Sequence, residues 1–233
     1  MNRKLQIEAL LKRAEIWLLK ISKDYETSLH SKHISLDMLI DIKEYFSCLR
    51  SILDYLAHDI VEKYCPNANP KNNLYFPIRH DESLFKNDCN KYFPELEKNN
   101  TIIYGILENF QAFRNQDNSW LKLFNKLNNE NKHERLVPQA RIETRQVTVT
   151  GQGGGSVKWG SGVTFGNGVS IMGVPIDPGT QLPVTNNTVK TEIITWVDFQ
   201  FEDINVSAIW LTKESLKRIN DVFKALSKEL YIQ

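Results

Sequence analysis

The fold follows from residues 39–60, which read LIDIKEYFSCLRSILDYLAHDI. Apolar side chains recur there at alternating steps of three and four residues: Leu39, Ile42, Phe46, Leu49, Leu53, Leu56 and Ile60. This spacing is typical of an amphipathic helix that buries one face. Ser35 stands before the stripe and can cap the helix. The segment therefore predicts a long helix belonging to a helical bundle.

The same spacing predicts further helices on both sides of this segment. They cover about residues 7–21, 101–113 and 119–136, and the second of them should turn Ile102, Ile103, Ile106, Leu107 and Phe110 inward. Pro66 and Pro70 begin a loop that continues through Tyr75-Phe76-Pro77-Ile78. A final apolar stripe from Leu216 to Leu230 predicts a C-terminal helix, capped by Thr212, that packs back on the bundle.

The composition changes abruptly after residue 140. Ten of the eleven glycines lie between Gly151 and Gly179. Alternating polar and apolar side chains at residues 142–150 and 189–201 indicate strands. We therefore expect an α+β fold with a helical bundle over 1–140, an antiparallel β insert over 141–210 and a completing helix over 211–233. Residues 151–155 should form a flexible glycine-rich tip.

Charge and cysteine content narrow the function classes. The chain has 29 basic and 28 acidic side chains and a formal net charge of +1, so a nucleic acid would need a local patch. The three cysteines have no metal-ligand spacing, and their odd number argues against a disulfide framework. No apolar run reaches the ~20 residues that span a bilayer. These features favour a cytoplasmic protein without a membrane partner.

The first cluster that could carry chemistry is Arg50, Asp54 and His58, spaced four apart along one helix. Arg50 should border the apolar stripe, while His58 should lie nearly opposite it. One interpretation is a site in which Arg50 binds phosphate, His58 transfers protons and Asp54 orients both. The other is a chain of surface ion pairs worth ~0.3 kcal/mol each.

The second cluster is Asn131-Lys132-His133, near the end of the helix predicted over 119–136. Its cations would also suit the C-terminal end of a helix dipole. We expect His133 to face Arg50 and Asp54 across the bundle, with Asp54 accepting a hydrogen bond from Lys132 or His133. The reason is that a carboxylate removed from water needs a partner.

These residues carry a resemblance. The segments Leu49-Arg50-Ser51-x-Leu53-Asp54-Tyr55-Leu56-Ala57, Phe76-Pro77-Ile78 and Asn131-Lys132-His133 resemble those of a group of uncharacterised bacterial helical proteins. More distantly, they are similar to the HEPN (higher eukaryotes and prokaryotes nucleotide-binding) superfamily of helical ribonucleases and nucleotide binders. The likeness covers roughly residues 35–137.

The resemblance implies an effector of a bacterial stress or phage-defence system that acts on RNA or a nucleotide. It also implies a site shared by two copies of the helices, and therefore a homodimer. Arg50, His58 and His133 would be the catalytic residues of a metal-independent ribonuclease. Asp54, Asn131 and Lys132 would bind the RNA or nucleotide. RNA-cleaving members have an Arg, a polar residue and then a His after four to six intervening residues, whereas seven residues lie between Arg50 and His58 here. This departure predicts a catalytically degenerate member.

Other motifs indicate neither a cofactor nor a metal. The run Gly151-Gln152-Gly153-Gly154-Gly155 lacks the ending of a phosphate loop and suits a hairpin tip. Trp159 and Phe165 could stack on a base or could pack the small sheet. An alternative function is a non-enzymatic interaction module whose β insert binds a protein partner by strand addition.

Overall fold

The computed structural model describes residues 3–133, 136–185 and 187–231, and for residues 130–133 it describes the backbone only. The described chain is α+β, as the sequence predicted, with helices α1–α7 and strands β1–β7. The helices are α1 Arg3–Ser31, α2 Leu36–Tyr64, α3 Glu82–Tyr92, α4 Leu96–Asn99, α5 Thr101–Asn109, α6 Ser119–His133 and α7 Ala208–Leu230. The strands are β1 Gln139–Gly151, β2 Ser156–Gly160, β3 Ser170–Ile171, β4 Val174–Asp177, β5 Leu182–Pro183, β6 Val189–Phe201 and β7 Val206–Ser207.

The chain divides into two compact units. One unit contains Met1–Ala140 and Gln200–Gln233, and the other contains Arg141–Phe199. The first holds all seven α-helices, whereas most of the β structure belongs to the second. Among the described helices, none combines the length and the apolar character that a membrane crossing requires.

Helix α2 supplies the core of the helical unit. It begins where the sequence predicted, because the Ser35 side chain accepts a hydrogen bond from the backbone N–H of Met38. The predicted stripe is buried from Ile42 to Ile60, and only Leu39 remains partly exposed. Met38 and Tyr45 extend the buried face beyond the predicted set. Since long apolar side chains on this face are removed from water, their burial is the main force holding the unit together.

The C-terminal helix packs on α1 and α2, as the sequence predicted. Its buried stripe includes Leu216, Ile219, Val222, Leu226 and Leu230. The predicted cap was wrong, because Ser207 caps α7 and Thr212 lies inside the helix. There the Thr212 hydroxyl donates to the carbonyl of Ala208 at 2.7 Å, and the Tyr45 hydroxyl donates to the Thr212 carbonyl at 2.7 Å.

The region between α2 and α6 differs most from the sequence prediction. Helix α3 was not predicted, because Phe85 and Cys89 are its only fully buried side chains and give too short a stripe for a periodicity argument. Helix α5 ends at Asn109, four residues before the predicted end, where tight backbone hydrogen bonds from Phe110 and Gln111 close a turn. Ile102 is 60% exposed, so its predicted inward orientation was wrong.

The second unit is built on an antiparallel hairpin of β1 and β2, in which Thr150 pairs with Ser156 around the glycine-rich tip. The strand order is β2-β1-β6-β7 in the larger sheet and β3-β4-β5 in the smaller one. A small core of Val147, Val149, Trp159 and Ile176 is shared by both sheets. Strand β6 has the bounds that the alternation in the sequence predicted.

Candidate functional site

Arg50 and Asp54 form an ion pair on one face of α2, in the helical unit. Arg50 Nη2 lies 3.0 Å from Asp54 Oδ1, and Arg50 Nε donates to Asp54 Oδ2 at 3.2 Å. The two side chains are only 14% and 19% exposed. Their spacing of four residues brings them together on the helix. Their burial strengthens the attraction between the two charges but also removes both from water, which costs free energy.

The same pair holds the loop that contains Phe76. Arg50 Nη2 donates to the Phe76 carbonyl at 3.2 Å, and the Phe76 N–H donates to Asp54 Oδ1 at 2.9 Å. The Phe76 ring is buried, with 2% of its surface exposed. Both backbone groups of one loop residue are therefore paired with α2, which satisfies them where water has little access.

Gln111 fixes the next part of this loop. Its side chain is fully buried, and its Nε2 donates to the carbonyls of Pro77 at 3.0 Å and Leu107 at 2.9 Å. Its Oε1 accepts from the backbone N–H of Arg79 at 2.9 Å. One amide thus pairs backbone groups on both sides of Ile78 and holds this part of the loop against α5.

A pocket of about 310 Å³ opens between α2, this loop, α3 and α6. Four asparagines contribute to its lining, Asn73, Asn125, Asn128 and Asn129, and three of them come from α6. Four aromatic residues also line it, Tyr75, Phe76, Tyr92 and Phe93. Its volume is at the small end of the range for small-molecule sites, and it combines rings with polar groups as such sites do. We call it the asparagine pocket.

The charges at the asparagine pocket are paired. Besides Arg50 and Asp54, the charged residues that line it in the described chain are Arg79 and Asp88, whose Nε and Oδ2 are 2.7 Å apart. Arg50 also donates from Nη1 to Asn125 Oδ1 at 3.2 Å. All three nitrogens of Arg50 therefore already donate to protein oxygens, and the described lining has no net charge.

Burial raises the pKa of the Asp54 carboxyl above its ordinary value, although the charge of Arg50, the Phe76 N–H and His58 oppose the rise. The removal of the carboxyl from water outweighs its partners. A perturbed carboxyl at the wall of a pocket is a feature of functional sites, although internal ion pairs show it as well.

Only some of the site residues predicted from the sequence line this pocket. Arg50 and Asp54 line it, whereas His58 is exposed on α2 and is not among the described lining residues. The side chains of Asn131, Lys132 and His133 lie outside the described residues, and so does the prediction that they face Asp54. The partners found for Asp54 are Arg50 and the Phe76 backbone.

Sequence reasoning missed Gln111 and the three asparagines of α6 that line the pocket. Asn125, Asn128 and Asn129 are spaced three and four residues apart, so they share one face of a helix. That polar spacing, next to the apolar stripe of the same helix, was the available signal. Gln111 had none, because its partners are fixed by tertiary contacts.

In the second unit, Trp159 and Phe165 pack against each other, with ring centroids 5.2 Å apart. Trp159 is only 6% exposed, so the two rings belong to the small core. This agrees with the interpretation that they pack the small sheet. Within the described residues, no group of three His, Cys, Asp or Glu side chains is arranged to hold a metal ion.

Comparison with known proteins gives no relative: no family model, curated protein or solved structure matches this chain.

Proposed function

We propose that the chain binds a nucleotide, or an unpaired nucleotide of an RNA, through the asparagine pocket, and does not cleave it. The observation that carries this proposal is the combination of aromatic rings and asparagine side chains in the lining of a pocket of about 310 Å³. Aromatic rings stack on bases, and amides form hydrogen bonds with base edges.

The base, and not the phosphate, supplies the main contact in this proposal. Arginine binds a phosphate with a free pair of donors, and Arg50 has already committed its nitrogens to Asp54, Asn125 and Phe76. Lys91 directly precedes the lining residue Tyr92 in the sequence, and its ammonium lies 4.7 Å from the centroid of the Tyr92 ring. In this proposal the phosphate stays outside the pocket, where Lys91 supplies a cation for it.

The HEPN-like pattern supports the same proposal from the sequence side. It links the Arg50 helix to proteins that bind nucleotides or act on RNA, and it would make this chain an effector of a bacterial stress or phage-defence system. The exposed position of His58 supports binding without cleavage, because a general base must reach the group from which it takes a proton.

The test is titration calorimetry of the full chain with the four nucleoside monophosphates and a short single-stranded RNA. We expect saturable binding that Tyr75→Ala weakens about tenfold or more, because stacking on one ring contributes ~1–3 kcal/mol. Trp210→Ala is the matched control, since Trp210 is a comparably exposed ring of the same unit outside the pocket. Absence of binding to every probe would overturn the proposal. RNA cleavage that His133→Ala abolishes would overturn its non-enzymatic part.

A second candidate is an interaction module in the β insert, favoured by strand β6. Ile193, Ile194 and Trp196 are 47%, 49% and 49% exposed. On the β7 side, only Gln200 and Phe201 of β6 have strand partners in the described chain. Unpaired edges and exposed apolar side chains favour strand addition.

Pairing of this edge with a second copy can be tested by sedimentation velocity over a range of concentrations. Ile193→Lys should abolish a dimer formed in this way, because lysine discourages edge pairing. A chain that remains monomeric at every concentration would exclude this form of the candidate.

A further inference from the structure

A second pocket lies within the second unit, and one arginine lines it without an acidic partner. The pocket has a volume of about 360 Å³, and its lining comes from β1, β2, β6 and the loops that follow β2 and β4. The charged residues of this lining are Glu143 and Arg145. Glu143 forms an ion pair with Arg141, whereas no ion pair of Arg145 is found among the described residues. We call this cavity the Arg145 pocket.

Hydrogen bonds hold Arg145 in the wall of this pocket. Its backbone N–H donates to Ser161 Oγ at 2.7 Å, and the same hydroxyl donates to the Arg145 carbonyl at 3.3 Å. At the other end of the side chain, Nη2 donates to the carbonyl of Thr180 at 3.1 Å. The side chain is therefore positioned at both ends, so it has little conformational entropy left to lose when a ligand binds.

The guanidinium of Arg145 keeps one pair of parallel donors. An arginine has two such pairs, one formed by Nε with Nη2 and the other by Nη1 with Nη2. Nη2 belongs to both pairs and has two hydrogens, of which the Thr180 carbonyl takes one. Within the described chain, this is the hydrogen bond found for the guanidinium. Whichever hydrogen is taken, one complete pair remains for a ligand.

Trp159 adds an unpaired donor to the same lining. The residue is only 6% exposed, its ring packs edge-on against Phe165, and its Nε1 has no hydrogen-bond partner among the described residues. Buried donors almost always have a partner. Val147 and Val163 supply apolar surface to the lining. The pocket therefore favours an occupant that has both acceptor atoms and an apolar part.

We propose that the Arg145 pocket binds a monocarboxylate with an apolar side group, an inference independent of the asparagine pocket. A planar carboxylate accepts two parallel hydrogen bonds from a guanidinium, and Arg145 retains the pair of donors for them. A phosphate carries nearly two negative charges and suits sites where cations or backbone N–H groups converge. In the described lining, Arg145 is the only cation and Glu143 adds a carboxylate. The ligand chemistry is shared by a free aryl or alkyl acid and by a polypeptide C terminus that ends in an apolar residue.

The experiment is a titration of the full chain, followed by NMR of the backbone amides, with phenylacetate, phenylacetamide and inorganic phosphate. Phenylacetate should bind saturably and shift the amide signals of Arg145 and Ser161. Phenylacetamide has the same shape without the charge and should bind about tenfold or more weakly, because the charged hydrogen bonds are lost. Arg145→Gln should weaken phenylacetate binding by a similar factor. Lys158→Gln removes one positive charge from an exposed position of the same unit outside the lining, and it should bind as wild type does.

Two peptides that end in phenylalanine, one with a free C terminus and one amidated, distinguish the sources of the carboxylate. Tighter binding of the free-carboxylate peptide than of phenylacetate would identify a polypeptide C terminus, and the reverse order would identify a free acid. The inference would be overturned by absence of carboxylate binding, by equal binding of acid and amide, by tighter binding of phosphate, or by undiminished binding in Arg145→Gln. If Arg145→Gln does not fold by circular dichroism, Arg145→Lys replaces it, because lysine keeps the charge but lacks the parallel donors. Undiminished binding by that variant would equally overturn the inference.

Discussion

Replacing Arg50 by Met should destabilise the helical unit by about 3 kcal/mol, because removal of one partner of a buried ion pair leaves an uncompensated charge. The lost interactions are those to Asp54, to Asn125 Oδ1 and to the Phe76 carbonyl. Methionine fills similar space and packs well against apolar neighbours. The expected loss therefore comes from the polar partners that remain, and not from a cavity.

The matched control is Lys86→Met on α3. Lys86 and Glu82 have the same spacing of four residues, with Nζ and Oε1 2.7 Å apart, but the side chains are 53% and 44% exposed. An exposed pair of this kind contributes only ~0.3–0.5 kcal/mol. Urea unfolding followed by circular dichroism at 222 nm measures both variants, and a loss of ~3 kcal/mol lowers the midpoint by about 1 M or more.

The double variant Arg50→Met with Asp54→Asn makes the test sharper. It should be more stable than Arg50→Met alone at pH 7, because the asparagine leaves no charge without a partner and can still accept from the Phe76 N–H. The reasoning would be refuted if Arg50→Met cost no more than Lys86→Met, or if the double variant were the least stable of the three.

Three further predictions concern pH, the glycine-rich tip and the last helix. Since burial raises the pKa of Asp54, its contribution to stability is present below the unfolded pKa of ~3.9 and is lost as pH rises through the folded pKa. Urea unfolding should therefore show wild type gaining stability relative to Asp54→Asn between pH 7 and pH 4, and an unchanged difference would contradict this. Limited proteolysis should cut first between Gly151 and Gly155, and hydrogen exchange there as slow as in α2 would show the opposite. Deleting residues 214–233 removes most of the α7 stripe and should leave a molten or insoluble product; a cooperative melt at the wild-type temperature would contradict it.

The helices that periodicity identified were those whose buried face is continuous along the sequence. The stripe of α2 runs unbroken from Ile42 to Ile60, so its burial follows from spacing alone. The alternation of β6 is similarly local, and both of its bounds were predicted. Helix α3 buries only Phe85 and Cys89 fully, and Asp81 caps it within a segment rich in polar residues. Two buried positions do not define a period.

The geometry of the site depends on contacts that no local pattern encodes. Arg50 and Asp54 could be placed on one helix face from their spacing, but the position of Phe76 beside them comes from loop packing more than twenty residues away. The sequence argument required a partner for Asp54 and looked for it among cations. A backbone N–H serves equally well, and every residue except proline has one.

The hydrogen bonds of Arg50 bear on the two interpretations of its cluster. From the sequence, the Arg50 cluster was compatible with a phosphate site and with a chain of surface ion pairs, and both were left open. In the structure, Arg50 donates from each of its nitrogens to the protein, and its charge is paired with Asp54, so it holds one wall of the asparagine pocket. The neutral polar side chains of the pocket are its asparagines, among them Asn128, which is 5% exposed. A neutral pocket that recognises a ligand through an amide should bind with little dependence on salt, whereas a phosphate site would weaken steeply as ionic strength rises. Titration of AMP at two salt concentrations separates these cases, and a steep loss at high salt would return the phosphate to the main role.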